Sequence, residues 1–332
     1  MRSVAPIALV IAATLAPFSA RAQAPPRAAP WRDPAPHRLQ FVTVSRGVKL
    51  EVLDWGGNGP PLVFLAGLGN TAHAWDNFAP RFTDRFRVVA ITRRGFGASS
   101  HPNDGYDLTN LVNDIRKVMD TLRIQRAALV GHSIAAEELT RLGATNPTRV
   151  TKLVYLDGAY DRPSMDSIVD AVFTEPVDIP SIPRPTMIDT GTVEGYIAYV
   201  HRTRAVDIPE ADIRARYNND GWNESATFHY GRVGSAAERP QYRRVRAPAL
   251  AIYSVIDSVS QMEPWVRSDA ARRAGQQAVL DKLEPIYAFG REQFKREMVN
   301  GKTLEIRGAH HWIFLSHADQ VARAMREFLL TR

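Results

Sequence analysis

The sequence predicts an α/β fold, an eight-stranded and mostly parallel sheet with helices on both faces and an inserted helical cap. Three observations carry this. Eight short β-rich runs recur between Leu39 and Ile306, several of them unbroken apolar stretches of the kind buried on both faces of a parallel sheet. Apolar residues at helical spacing lie between them. The alternation breaks between about residues 160 and 246, where prolines punctuate the chain and amphipathic segments come after them.

Residues 1–24 stand outside the pattern. Arg2, the ten-residue apolar run Ile7–Ala16 and the small residues from Ser19 to Ala24 read as an export signal cleaved after Ala22 or Ala24. The run is much shorter than the ~20 apolar residues that span a bilayer, and no later stretch is longer, so no stable membrane insertion is expected. Export would place the chain in the periplasm or outside the cell. Residues 25–38 read as a tether, because Pro25, Pro26, Pro30, Pro34 and Pro36 prevent helix or central strand. The folded domain is then 39–332.

Within it, Leu39–Ser45 and Val48–Trp55 meet at Arg46-Gly47, a hairpin signal. Leu62–Ala66, Phe86–Thr92, Ala127–Val130, Leu153–Asp157, Ala249–Ser254 and Thr303–Ile306 supply six more strands. Leu108, Leu111, Val112, Ile115, Val118, Met119 and Leu122 form one helical stripe, and Val321, Ala324, Met325, Phe328 and Leu329 another. In the cap, Pro176, Pro180, Pro183 and Pro185 mark a loop ahead of the amphipathic segments Val193–Arg204 and Glu210–Asn218.

Composition narrows the function. With 45% hydrophobic and 23% charged residues, the 332-residue chain is globular rather than disordered. The net charge of +7 falls to +5 once the signal leaves with Arg2 and Arg21. The cations are scattered, so nucleic acid is not an expected partner. No cysteine is present, which excludes a thiol nucleophile, a disulfide framework and cysteine-held metal. The glycine loops Gly67-Leu68-Gly69 and Gly95-Phe96-Gly97 match neither a dinucleotide nor a phosphate-loop pattern. His73, His101, His201, His229 and His317 stand without metal-ligand spacing, and His310-His311 lacks the HExxH arrangement. Neither metal nor other cofactor is expected.

The most informative residues are Gly131-His132-Ser133-Ile134-Ala135, between the apolar run Ala127–Val130 and a helical stretch. A Ser on a sharp strand-to-helix turn needs small residues two positions to either side, here Gly131 and Ala135. The bend lifts the hydroxyl above the sheet, and the helix beyond it turns its N-terminal N–H groups toward an anion forming there.

With this elbow the chain resembles the α/β-hydrolase fold family from about Leu39 to Leu330. Pro61–Gly69 is similar to the family's strand and oxyanion loop, with Ala66-Gly67 where many members have His-Gly. Thr92–Ser99 is similar to its strand-end turn, with Thr92 where Asp is usual. The resemblance implies backbone donors at Leu68 and Ile134, an acid after the strand that succeeds the cap, and then a His after the last strand. It places the acid at Asp257, with Asp157 at the preceding strand end as the rival, and the base at His311, with His310 beside it. His132, Trp75 and Trp312 are expected to line the pocket.

Such a chain is expected to be a serine hydrolase without a cofactor. Ser133, His311 and Asp257 would cleave an ester of a small apolar or aromatic substrate through an acyl-enzyme. Amide or carbon–carbon bond hydrolysis, or ligand binding without turnover, are the alternatives.

Overall fold

A computed structural model describes residues 31–172, 183, 185–204, 206–220, 231–234, 237–256, 258–259 and 269–331. The expected signal segment lies outside the described residues. The hairpin is formed by β1 (Arg38–Ser45) and β2 (Val48–Gly56), with Gly47 at φ +75 in the turn where a side chain would be strained. Then come β3 (Pro61–Leu65), β4 (Arg87–Ile91), β5 (Ala127–His132), β6 (Val150–Leu156), β7 (Ala249–Val255) and β8 (Gly301–Arg307).

These eight strands make one sheet in the order β1-β2-β4-β3-β5-β6-β7-β8. β1 and β2 pair antiparallel, as do β2 and β4; from β4 onward every neighbour is parallel. All carboxyl ends of the parallel strands therefore open on one edge, the place where such sheets bind ligands. Side chains alternate across the sheet, so each parallel strand feeds two cores. Val63, Leu129, Tyr155 and Tyr253 pack on one face, and Leu62, Phe64, Val130, Val154 and Ile252 on the other.

Helices cover both faces. On the first face lie α1 (Leu108–Thr121) and α2 (Ala135–Thr145), joined by Ile286 and Phe294 of a later 28-residue helix. Asp107 caps α1 by accepting the Asn110 N–H, and Leu108, Leu111, Val112, Ile115, Val118 and Met119 form its buried stripe, as the spacing predicts. The cap region contributes α3 (Arg162–Val172), α4 (Met187–Thr190), α5 (Val193–Thr203) and α6 (Glu210–Asp220). The long helix is α7 (Ala270–Glu297), and α8 (Ile313–Ser316) and α9 (Ala318–Leu330) close the chain, with Val321, Met325 and Phe328 of α9 packed on the second face.

α3 and α7 are helices that the hydrophobic pattern does not announce. α3 begins at Arg162-Pro163, where proline at the first turn fits a helix start. α7 carries Pro285 in its interior, the residue that most opposes a helix, yet Ile286 and Phe294 anchor it against the sheet.

Candidate active site

The elbow forms because β5 runs straight into α2 with no room for a loop. Ser133 takes up the whole reversal at φ +54, a conformation that costs a non-glycine residue roughly 1–3 kcal/mol. Its backbone N–H is spent on Leu156 O at 3.0 Å, which ties the elbow to the end of β6. Tight packing explains Gly131, since a Cβ there would stand 2.8 Å from Leu139 Cδ1 and 3.2 Å from the Ala135 carbonyl carbon. The methyl of Ala135 itself is accommodated and fully buried.

One strand over, Asp157 stands directly after β6 in the same left-handed region, φ +46. His311 reaches the pair from the turn after β8. Its Nε2 lies 3.0 Å from Ser133 Oγ and its Nδ1 lies 2.7 Å from Asp157 Oδ2. The Nδ1 partner expected to be Asp257 is thus Asp157. Asp257 itself lies outside the described residues. The reason is strand order: β6 lies directly beside β5, so a residue one step past its end is already next to the elbow.

Asp157 is well supplied with donors. Ser254 Oγ donates to Oδ2 at 2.7 Å, and the Ser254 N–H and Tyr160 hydroxyl donate to Oδ1 at 3.1 and 3.2 Å. Burial pushes this carboxyl up, but the hydrogen bonds from His311 and Ser254 and the nearby imidazole outweigh it and hold Asp157 below its ordinary value. It is an anion held in place, fitted to fix the imidazole tautomer.

His310 points elsewhere. It is buried, its Nδ1 accepts the Trp312 N–H at 3.2 Å, and its ring stacks on Trp312 with 13° between planes. His132, expected to line the pocket, instead lies 1% exposed beneath the site, with Nε2 3.0 Å from the His311 carbonyl oxygen. Burial first, then the neighbouring His311, pushes its pKa well below the usual imidazole value, so it is neutral and donates from Nε2. His132 supports the backbone that carries His311.

Trp75 is also not at the cavity. It is completely buried, with its ring centroid 4.2 Å from that of Phe314 and 5.0 Å from that of Phe64, and belongs to the core on the second face of the sheet. Trp312 does line the cavity. Gly67 brings its loop against the elbow: a Cβ there would meet His132 Nδ1 at 2.6 Å and Ser133 Cβ at 3.3 Å. Arg93 buttresses the same loop, donating to Ala66 O at 3.1 Å while holding Glu138 through two bonds of 2.6 and 2.7 Å. The Leu68 and Ile134 amides make no hydrogen bond among the described residues. Ile134 comes directly after Ser133, and the loop that carries Leu68 meets the elbow through Gly67.

The cavity over Ser133 has a volume of about 410 Å³ and is lined by Asp157, His311, Trp312, Tyr160, Tyr287, Glu284, Arg162 and Arg204, among others. Arg162 Nη2 approaches Ser133 Oγ to 3.4 Å, while its Nε faces Glu137 Oε1 at 3.1 Å. Of the cap aromatics, Tyr196 and Tyr199 stack on each other inside the cap's own core; Phe173, Trp222, Phe228 and Tyr230 lie outside the described residues. Sequence reasoning missed Ser254, Tyr160, Arg162 and Arg204. Only Ser254 carried a signal, as a polar residue at the carboxyl end of an apolar strand.

Known proteins place this arrangement in a wider group. Over 242 residues the chain is 27% identical to a non-heme chloroperoxidase of Streptomyces lividans, spanning 66% of this chain and 82% of that one. It is 33% identical over 101 residues to a 2-(acetamidomethylene)succinate hydrolase of Mesorhizobium japonicum, a match to 30% of this chain and 36% of that protein. The crystal structure of an E-2-(acetamidomethylene)succinate hydrolase superposes with a TM-score of 0.61 at 21% identity, covering 89% of this chain and all of the other. Residues 62–324 match the family profile described as the alpha/beta hydrolase family, a span from β3 through the elbow to α9. The strand order, the serine elbow and that match together make this chain a member of the alpha/beta hydrolase family.

Proposed function

We propose that the protein is a serine hydrolase that cleaves a carboxylic ester through an acyl-enzyme, with Ser133 as nucleophile, His311 as base and Asp157 as the acid. The observation that carries this reading is the continuous chain Ser133 Oγ, His311 Nε2, His311 Nδ1, Asp157 Oδ2, with links of 3.0 and 2.7 Å. Ser133 Oγ attacks the ester carbonyl while its proton passes to His311 Nε2. Asp157 steadies the imidazolium so formed. The carbonyl oxygen, now anionic, lies against the Leu68 and Ile134 amides at the positive end of α2. Collapse expels the alcohol with the proton from His311. Water then enters on the same route, giving its proton to His311 as it attacks the acyl carbon, and Ser133 leaves with that proton.

The cavity lining supports a small substrate. Trp312, Tyr160 and Tyr287 offer apolar faces, while Arg162 and Arg204 favour a substrate that also carries an anionic group, such as a half-ester of a dicarboxylic acid. The name of the succinate hydrolase relative is in keeping with such a compound. Labelling by a fluorophosphonate, with turnover of 4-nitrophenyl acetate, tests the reading. The parent should label and hydrolyse the ester, and Ser133→Ala should do neither. An unlabelled parent without esterase activity would overturn it.

A further inference from the structure

We infer that the protein holds a divalent metal ion, zinc by its donor chemistry, in a buried site built from His37, His73 and Asp76, separate from the Ser133 cavity. In sequence these residues give no sign of one another. His37 precedes β1, while His73 and Asp76 sit on and just after the single 3-10 turn Ala72–Trp75 that comes after the oxyanion loop. The fold brings their donor atoms within 4.8 Å of one another. Asp76 lies between the two rings, with Oδ1 3.4 Å from His37 Nε2 and Oδ2 3.2 Å from His73 Nδ1.

Those separations match the edges of a coordination tetrahedron. Zinc bonds to nitrogen and carboxylate oxygen of about 2.0–2.2 Å set neighbouring ligand atoms about 3.3 Å apart. The shorter one is also a hydrogen bond, between His73 Nδ1 and Asp76 Oδ2, but Asp76 Oδ1 is buried and makes none, although the side chain is only 4% exposed. The imidazoles are equally withdrawn, at 5% exposed for His37 and 9% for His73. Two imidazole nitrogens with one carboxylate are a donor set of zinc rather than of magnesium or calcium.

A metal-bound imidazole needs an acceptor at its other nitrogen, and His73 has one. Glu51 Oε1 lies 3.5 Å from His73 Nε2, and Glu51 Oε2 is held in turn by Thr92 Oγ1 at 2.6 Å. Charge balance points the same way. Glu51 and Asp76 both bring carboxyl groups into the interior here, a setting that suits a dication. Thr92, where the family's turn usually has Asp, fits this account: its hydroxyl orients Glu51 and accepts the Ala72 N–H at 2.8 Å without adding a third carboxyl group. The ion would fasten the entry to β1 onto the loop behind the oxyanion amides.

The test uses the purified full-length protein. Metal analysis by plasma mass spectrometry should find about one zinc per chain, or zinc added after chelator treatment should bind at about that ratio and restore the melting temperature that the chelator lowers. Cobalt(II) in its place should give the intense visible bands of a tetrahedral site. Asp76→Asn and His37→Gln should each abolish stoichiometric binding. Glu51→Gln, which keeps the shape of the acceptor, should weaken zinc by about 10- to 100-fold. A folded parent that binds neither zinc nor cobalt and melts at the same temperature with and without chelator would overturn the inference, leaving the cluster as a buried ion network. Binding that survives in both Asp76→Asn and His37→Gln would overturn it as well.

Discussion

Asp212 of the cap helix α6 accepts three hydrogen bonds at 2.8 Å, from the N–H and hydroxyl of Thr71 and from the side-chain amide of Asn70, so Asp212 and Thr71 join the cap to the loop beside the nucleophile. The carboxylate is completely buried, and Asn70 also accepts the Trp312 Nε1–H at 3.1 Å. One residue on the cap thereby fixes both the loop that carries the Leu68 amide and the residue next to His311. Asp212→Ala leaves the Thr71 and Asn70 donors buried without partners, at about 1–3 kcal/mol for each group. Urea unfolding should show a loss of about 3 kcal/mol or more. The kcat on a simple ester should fall with it, because the loop loses its anchor.

His132 is neutral and buried in the fold but free to protonate once unfolded. Below its unfolded value of about 6.5 the unfolded chain therefore binds a proton that the folded chain refuses. The contribution is fully present above that pH and is lost as pH falls, at no more than about 1.4 kcal/mol per unit. Unfolding free energies measured from pH 7.5 down to pH 5 should fall more steeply in the parent than in His132→Asn. Equal slopes would place the imidazole in solvent.

The elbow stores strain that can be measured without any turnover. Ser133→Ala keeps a side chain at φ +54, whereas Ser133→Gly relieves it. Both variants lose the nucleophile, but the glycine variant should be more stable than the alanine one by about 1 kcal/mol in chemical denaturation.

The two arginines of the cavity predict a substrate preference. Between two esters that differ only in a terminal carboxylate, the parent should favour the anionic one in kcat/KM, and Arg204→Gln should reduce that ratio by about tenfold, the effect of roughly 1.4 kcal/mol lost at one charged contact. A ratio near one in the parent would remove the anionic requirement and leave the esterase reading untouched.

Most of the framework was legible because strands buried on both faces write themselves as apolar runs: all eight appear within a few residues of their observed bounds. The elbow was legible because its steric demand restricts Gly131 and Ala135 to small residues. The acid was not, since its identity depends on which strand end stands beside β5 in the finished sheet, a relation between strands far apart in sequence. Asp157 and Asp257 both come after apolar runs, and nothing in the sequence announces the trio of donors around Asp157, two of them from Ser254 on β7. α7 was hidden by Pro285, where tertiary packing of Ile286 and Phe294 prevails over local preference. Trp75 is close to the oxyanion loop in sequence, but loops of this kind bury one face into the core.

The assignment of Asp157 as the acid that orients His311 is tested most directly by kcat on 4-nitrophenyl acetate for Asp157→Asn and Asp257→Asn side by side, each checked for a native melting transition. Asp157→Asn should lower kcat by about 10⁴-fold through the wrong imidazole tautomer, and Asp257→Asn should stay within a few-fold of the parent. A folded Asp157→Asn enzyme with near-parental kcat, together with a collapse of activity in Asp257→Asn, would contradict the account.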